Sequence, residues 1–296
     1  MCLAVLDIEQ TGCAHASTVK LPETPELAAD APNAQTAGPA LAGTMPFDKF
    51  SARALHSVNH MLMTPMAGRR TTQYTLHPLM ATYCRQRVTA VPVITEGKSP
   101  RPSGLGYPRL PGLYDKAQVD SGKPVSAAVH AGGGKILVRL MHRGRFAHAA
   151  NLPTGAEILG PVTAVCSGEL YTDPPGMQPH GAPRAMTDAD IAHSAQEHSK
   201  AAQLALDAGF DGVELHSASG YLVEQVVNPR INLRACGDGG SSESRSRVTL
   251  EVAGATVADI GRNRVGIRLS PYGALDVTGE FFALQVQPLA LAALDG

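Results

Sequence analysis

The chain has no tryptophan, and aromatic residues make up only 4% of its 296 residues, so large ring contacts are scarce in its core. Its five cysteines, Cys2, Cys13, Cys84, Cys166 and Cys236, include no CxxC pair. An odd, scattered set argues for reduced thiols in an intracellular setting. No uninterrupted apolar run approaches the roughly 20 residues that span a bilayer, which excludes a helical membrane segment on sequence grounds. A net charge of −1 gives no reason to expect nucleic acid or an anionic membrane as partner. Asp7 and Glu9 interrupt the apolar start, and the N-terminus lacks the arginines of a transit peptide. A cytoplasmic location is therefore expected.

What the chain does have is a series of short apolar runs. Residues 1–45 are rich in Ala, Pro and Thr without sustained periodicity and read as a disordered extension. From residue 46 onward, strands are expected at 61–66, 91–95, 135–141, 212–216 and 264–269. All are short and nearly continuously apolar, as in parallel strands buried on both faces. A helix is predicted over 188–208, with Thr187 as N-cap, Asp190 in its first turn and Gly209 just past its end. A second is predicted near 250–260, followed by Gly261. Strand and helix in alternation predict a parallel α/β architecture of the (β/α)8 barrel type, with about five β/α units readable. The proline-rich region 143–186 breaks the alternation and reads as an irregular, lid-like insertion or as a surface excursion without a role.

In such a barrel, chemistry sits at the C-terminal ends of the strands. That rule selects His216 at the end of one strand, with Ser219 and Tyr221 on its loop. His and Ser can donate to a carbonyl oxygen, and Tyr can deliver a proton. On spacing alone each has a structural alternative: a hydrogen-bonded strand-end histidine, or a packed loop tyrosine. Arg268 lies inside an apolar strand, where a cation needs a partner: a bound anion, an electron-rich ring, or Glu214 on the neighbouring strand. Arg139 raises the same question.

The run Ala208-Gly-Phe-Asp-Gly-Val-Glu-Leu-His-Ser-Ala-Ser-Gly-Tyr-Leu-Val-Glu-Gln225 resembles the old yellow enzyme family of FMN-dependent ene-reductases. Further similarities follow in the family's order: Thr64-Pro-Met66, His77-Pro-Leu-Met-Ala-Thr-Tyr83, Gly106-Tyr-Pro-Arg-Leu-Pro-Gly-Leu-Tyr114, Leu140-Met-His-Arg-Gly-Arg145 and Gly266-Ile-Arg-Leu-Ser-Pro271. Together they cover roughly residues 46–276. The resemblance implies NAD(P)H as reductant, FMN as cofactor and an electrophilic alkene, an α,β-unsaturated carbonyl or nitro compound, as substrate. It implies that His216 and Ser219 hold the substrate oxygen and that Tyr221 protonates the α-carbon. It places Pro65, Met66, Ala67, Gly97, Arg139 and Arg268 against the flavin.

The pattern also departs from the family. Ala67 stands where Thr or Cys is usual, Arg139 where Gln is, Met141 where Trp is, and Ser219 where Asn or His is. Pro92 falls inside an expected central strand, where it removes a ladder donor. With five strands readable, the chain reads as a C-terminally shortened, divergent relative whose strand edges are open to self-association. The alternative function is therefore a flavin-free homologue with a binding role or no activity.

Overall fold

A computed structural model describes residues 3–5, 49–52, 55–57, 59–173, 176–235 and 237–270. Its centre is a five-stranded sheet in the order β1–β11–β10–β5–β4. Four of these strands are parallel: β4 (Val93–Ile94), β5 (Ile136–Leu140), β10 (Gly212–Ser217) and β11 (Val265–Leu269). Helices α1 (Leu79–Arg85), α2 (Lys116–His130), α3 (Asp188–Asp207) and α5 (Ser242–Ile260) alternate with them, and short α4 (Leu222–Val227) follows β10. The result is a curled half of a (β/α)8 barrel, with helices on its outer side.

The strands are not apolar on both faces, as their composition suggested. Ile136, Val138, Leu140, Val213, Leu215, Val265 and Ile267 alternate along them and pack into one core with α2, α3 and α5. Arg139, Glu214, His216 and Arg268 stand at intervening positions. Glu214 pairs in register with Arg139, and His216 with Arg268. Since register partners in a sheet share a face, these four polar side chains line the concave side. Burial of the helix-facing row, at roughly 1.5–3 kcal/mol per large side chain, holds the sheet and leaves the other row free for function.

The expected first strand, 61–66, is reduced to a single parallel bridge between Met63 and Val93. Pro92 lies just before β4, whose ladder donors begin at Val93, so its missing N–H does not disrupt the strand, and its carbonyl accepts from the Met63 N–H at 3.2 Å. Helix α3 follows its sequence signals: Thr187 and Asp190 form a reciprocal capping box, and Gly209 has φ 80°. Helix α5 begins eight residues before the predicted 250, capped by the Ser241 hydroxyl, which accepts from Ser244 N–H. Where an extension was expected, the backbone of β1 (Leu3–Val5) lies antiparallel on β11 and covers that edge. The other residues of 1–48 lie outside the described residues, as does 271–296.

A hairpin of β2 (Phe50–Ala52) and β3 (Leu55–Ser57) precedes the sheet. Region 143–186 carries its own small pairings. Strand β6 (Leu159–Gly160) runs parallel to β9 (Arg184–Ala185), and β7 (Glu169–Thr172) forms a hairpin with β8 (Gly176–Pro179). No described helix is long and apolar enough to cross a membrane.

Three histidines, His142, His198 and His216, are at most 4% exposed, and burial holds the pKa of each below the ordinary value. The folded state keeps these rings neutral where the unfolded chain would protonate them. Stability is therefore full above the unfolded value near 6.5 and falls as pH drops through it. Unfolding in urea at pH 6.5 and 5.5 is expected to show a loss of up to about 3 kcal/mol, near 1 kcal/mol per ring. Glu96, Glu197 and Glu224, whose pKa values are raised by burial, act with the opposite sign and reduce the loss. A flat profile over this unit of pH would contradict neutral burial.

Candidate active site

At the C-terminal ends of the strands a cleft of about 190 Å³ opens. His216, Ser219 and Tyr221 line it from the β10 side, and Pro65, Ala67, Gly97 and Arg139 from the other strands. Seven of the nine candidate residues thus meet in one place. Met66 does not join them and is 65% exposed. Arg268 does not line the cleft either, but it stands beside His216 across the β10–β11 register. Two larger clefts, of about 280 and 300 Å³, are lined by ion pairs already closed, Arg247 with Asp238 and Lys135 with Asp211.

The loop after β10 is held from below by Glu224 on α4. Its carboxylate accepts from Gly220 N–H at 2.6 Å and from the Ser270 hydroxyl at 3.1 Å, and Ser270 in turn accepts from Ser219 N–H at 3.0 Å. Ser219 has φ 60°, a conformation a non-glycine residue adopts only when its surroundings hold it. Gln225, fully buried, ties two loops together. Its amide donates to the Arg143 and Gly220 carbonyls, and its oxygen accepts from Arg145 N–H. Gly144 permits this contact: its φ is 62°, and a Cβ there would lie 2.2 Å from the Gln225 oxygen.

His216 is 4% exposed, and its Nδ1 has no hydrogen-bond partner among the described residues. Burial first, then the charges of Arg139, Arg143 and Arg268, hold its pKa well below the ordinary value. It is therefore a neutral imidazole at pH 7, able to donate one hydrogen bond without being an acid. Tyr221 stands 5.5 Å from the His216 ring and meets Phe146 edge to face at 5.9 Å.

Arg139 forms a buried ion pair with Glu214, so the carboxylate set aside for Arg268 belongs to the other arginine. The Arg139 Nη2 stays without a partner among the described residues. Glu96, also buried, accepts from Gly68 N–H at 2.9 Å and shapes the loop carrying Ala67. Met141 and Arg143, both on the cleft wall, figure in the sequence only within the stretch Leu140-Met-His-Arg-Gly-Arg145. Met141 fills the space above Gly97, where a Cβ would come within 2.1 Å of the Met141 methyl.

A sequence model of the NADH:flavin oxidoreductase / NADH oxidase family matches residues 51–293. The chain belongs to that family. The match extends past residue 276, the rough end of the similarity read from the motifs. Among relatives, 12-oxophytodienoate reductase 7 of Oryza sativa subsp. japonica is 36% identical over 220 residues, covering 72% of this chain and 55% of the relative. Flavin oxidoreductase hxnT of Emericella nidulans is 41% identical over 172 residues, 56% of this chain and 42% of the relative. The chain spans about half the length of the curated relatives it matches. Among solved structures, the old yellow enzyme homologue from Zymomonas mobilis superposes with a TM-score of 0.80 at 33% identity, over 84% of this chain and 70% of that one. Morphinone reductase in complex with tetrahydroNAD gives the same values. The half-barrel is thus an old yellow enzyme fold, an incomplete (β/α)8 barrel among the described residues.

Proposed function

We propose that this protein is an FMN-dependent oxidoreductase that reduces activated C=C bonds of α,β-unsaturated carbonyl or nitro compounds with NAD(P)H. The observation that carries this reading is the convergence of His216, Ser219 and Tyr221 on one cleft with the unpartnered Arg139 Nη2. The donor set suits a flavin. Arg139 Nη2 is a buried donor fit for the ring's pyrimidine oxygens, and Pro65, Ala67 and Gly97 offer small surfaces for the ring itself. A bound flavin would supply the hydride, drawn from the nicotinamide. The protein's own groups do the rest. Neutral His216 and the Ser219 hydroxyl donate to the substrate oxygen where negative charge develops, as an oxyanion hole does. The Tyr221 hydroxyl donates the proton to the α-carbon.

A second reading, a flavin-free homologue with a binding role, is favoured by one feature. The cleft, at about 190 Å³, is smaller than the roughly 300–1,000 Å³ of ligand pockets, and Met141 fills the space above Gly97. The visible spectrum separates the two readings. The purified protein, incubated with FMN and passed through a desalting column, is expected to keep a flavin band that NADPH bleaches and an enone restores. A colourless protein would sink the enzymatic reading in favour of the second.

A further inference from the structure

Arg143 lies three residues beyond β5 and is 4% exposed, yet it makes no side-chain hydrogen bond or ion pair among the described residues. Its guanidinium carbon is 4.2 Å from the centre of the Tyr107 ring and 4.3 Å from that of Tyr221. Burial lowers its pKa, and no described carboxylate forms an ion pair with it. Two aromatic faces attract a desolvated cation but supply no opposite charge, so they offset only part of what its removal from water costs. The other buried arginines differ: Arg139 has Glu214, Arg145 donates to the Ala164 carbonyl at 3.3 Å, and Arg245 donates to the Val227 and Gly240 carbonyls.

Arg143 also faces the cleft. Three buried polar atoms without a partner among the described residues belong to cleft residues: Arg143 Nε, Arg139 Nη2 and His216 Nδ1. The two guanidiniums differ in what they lack. Arg139 is neutralised and misses one acceptor. Arg143, stacked on Tyr221, misses a whole counter-charge. A carboxylate supplies both a charge and the paired acceptors that a guanidinium fork matches.

We propose that Arg143 makes the cleft selective for an anionic substrate, an activated alkene that itself carries a carboxylate. The alkene part of this assignment rests on the function proposed above, while the anion preference rests on Arg143 alone. Calorimetric titration with trans-cinnamate and its uncharged methyl ester, in FMN-free and FMN-incubated protein, tests it. Cinnamate is expected to bind at least tenfold more tightly than the ester. Arg143→Met is expected to erase that difference, and Arg143→Lys, which keeps the charge and loses the fork, to keep part of it. Equal affinity for acid and ester in the unaltered protein would overturn the proposal, as would a preference that survives Arg143→Met or binding of neither ligand. Acetate or inorganic phosphate binding as tightly as cinnamate would replace the alkene acid by an unselective anion pocket and also overturn it. Should Arg143→Met fail to give the circular dichroism of a folded protein, the acid-to-ester ratio of the unaltered chain and its change in Arg143→Lys decide. An acid preference in a protein that retains no FMN would support the anion site and sink the flavin reading. A flavin band without an acid preference would do the reverse.

Discussion

Tyr221→Phe is expected to slow alkene reduction by about 10²–10⁴-fold, the usual contribution of a positioned general acid, while flavin reduction by NADPH proceeds at its normal rate. The asymmetry follows from what the substitution leaves intact. Phenylalanine keeps the ring that packs on Arg143 at 4.3 Å, on His216 at 5.5 Å and on Phe146 at 5.9 Å, so the loop retains its support. Only the hydroxyl is lost. Stopped-flow measurement of the two half-reactions separates them. An equal loss in both would assign Tyr221 a structural part, and no loss in either would remove it from the chemistry.

The second large effect concerns the fold. Arg139→Met is expected to destabilise the protein by about 3–5 kcal/mol, because Glu214 is 1% exposed and would be left as a buried charge without its partner. The double variant Arg139→Met/Glu214→Leu removes both charges and replaces them with apolar groups of comparable size. It is expected to recover most of the loss, since a well-packed apolar pair often equals or exceeds a buried ion pair. Denaturant midpoints of the two single variants and the double variant provide the cycle. A single-variant loss under 1 kcal/mol would show that the pair does not carry its buried charge as argued.

Much of the site was readable before any coordinate was known. His216, Ser219 and Tyr221 follow a strand end in one local run, so their proximity is built into the chain. Pro65, Ala67, Gly97 and Arg139 were named by the resemblance to the family, and the parallel sheet gathers them at its strand ends. The residues that escaped notice act across long separations. Gln225 reaches Arg145 from 80 positions away, and Glu224 reaches Ser270 from 46. Nothing in a linear pattern distinguishes such an amide or carboxylate from a surface one. Arg143 was visible only as part of a stretch, since its oddity lies in what surrounds it.

The sequence by itself determined the alternation of strand and helix, the capped course of α3, the family and the loop that carries His216 and Tyr221. These rest on local signals: periodicity, capping residues, glycines of left-handed conformation and motifs in order. Only the tertiary structure decided which face of each strand is polar, that Glu214 neutralises Arg139 and not Arg268, that β1 covers the β11 edge, and that Arg143 is buried without a counter-charge. Strand register and desolvation are properties of neighbours in space. Composition alone made the strands look apolar throughout, because it cannot show that alternate side chains point to opposite sides of a curled sheet.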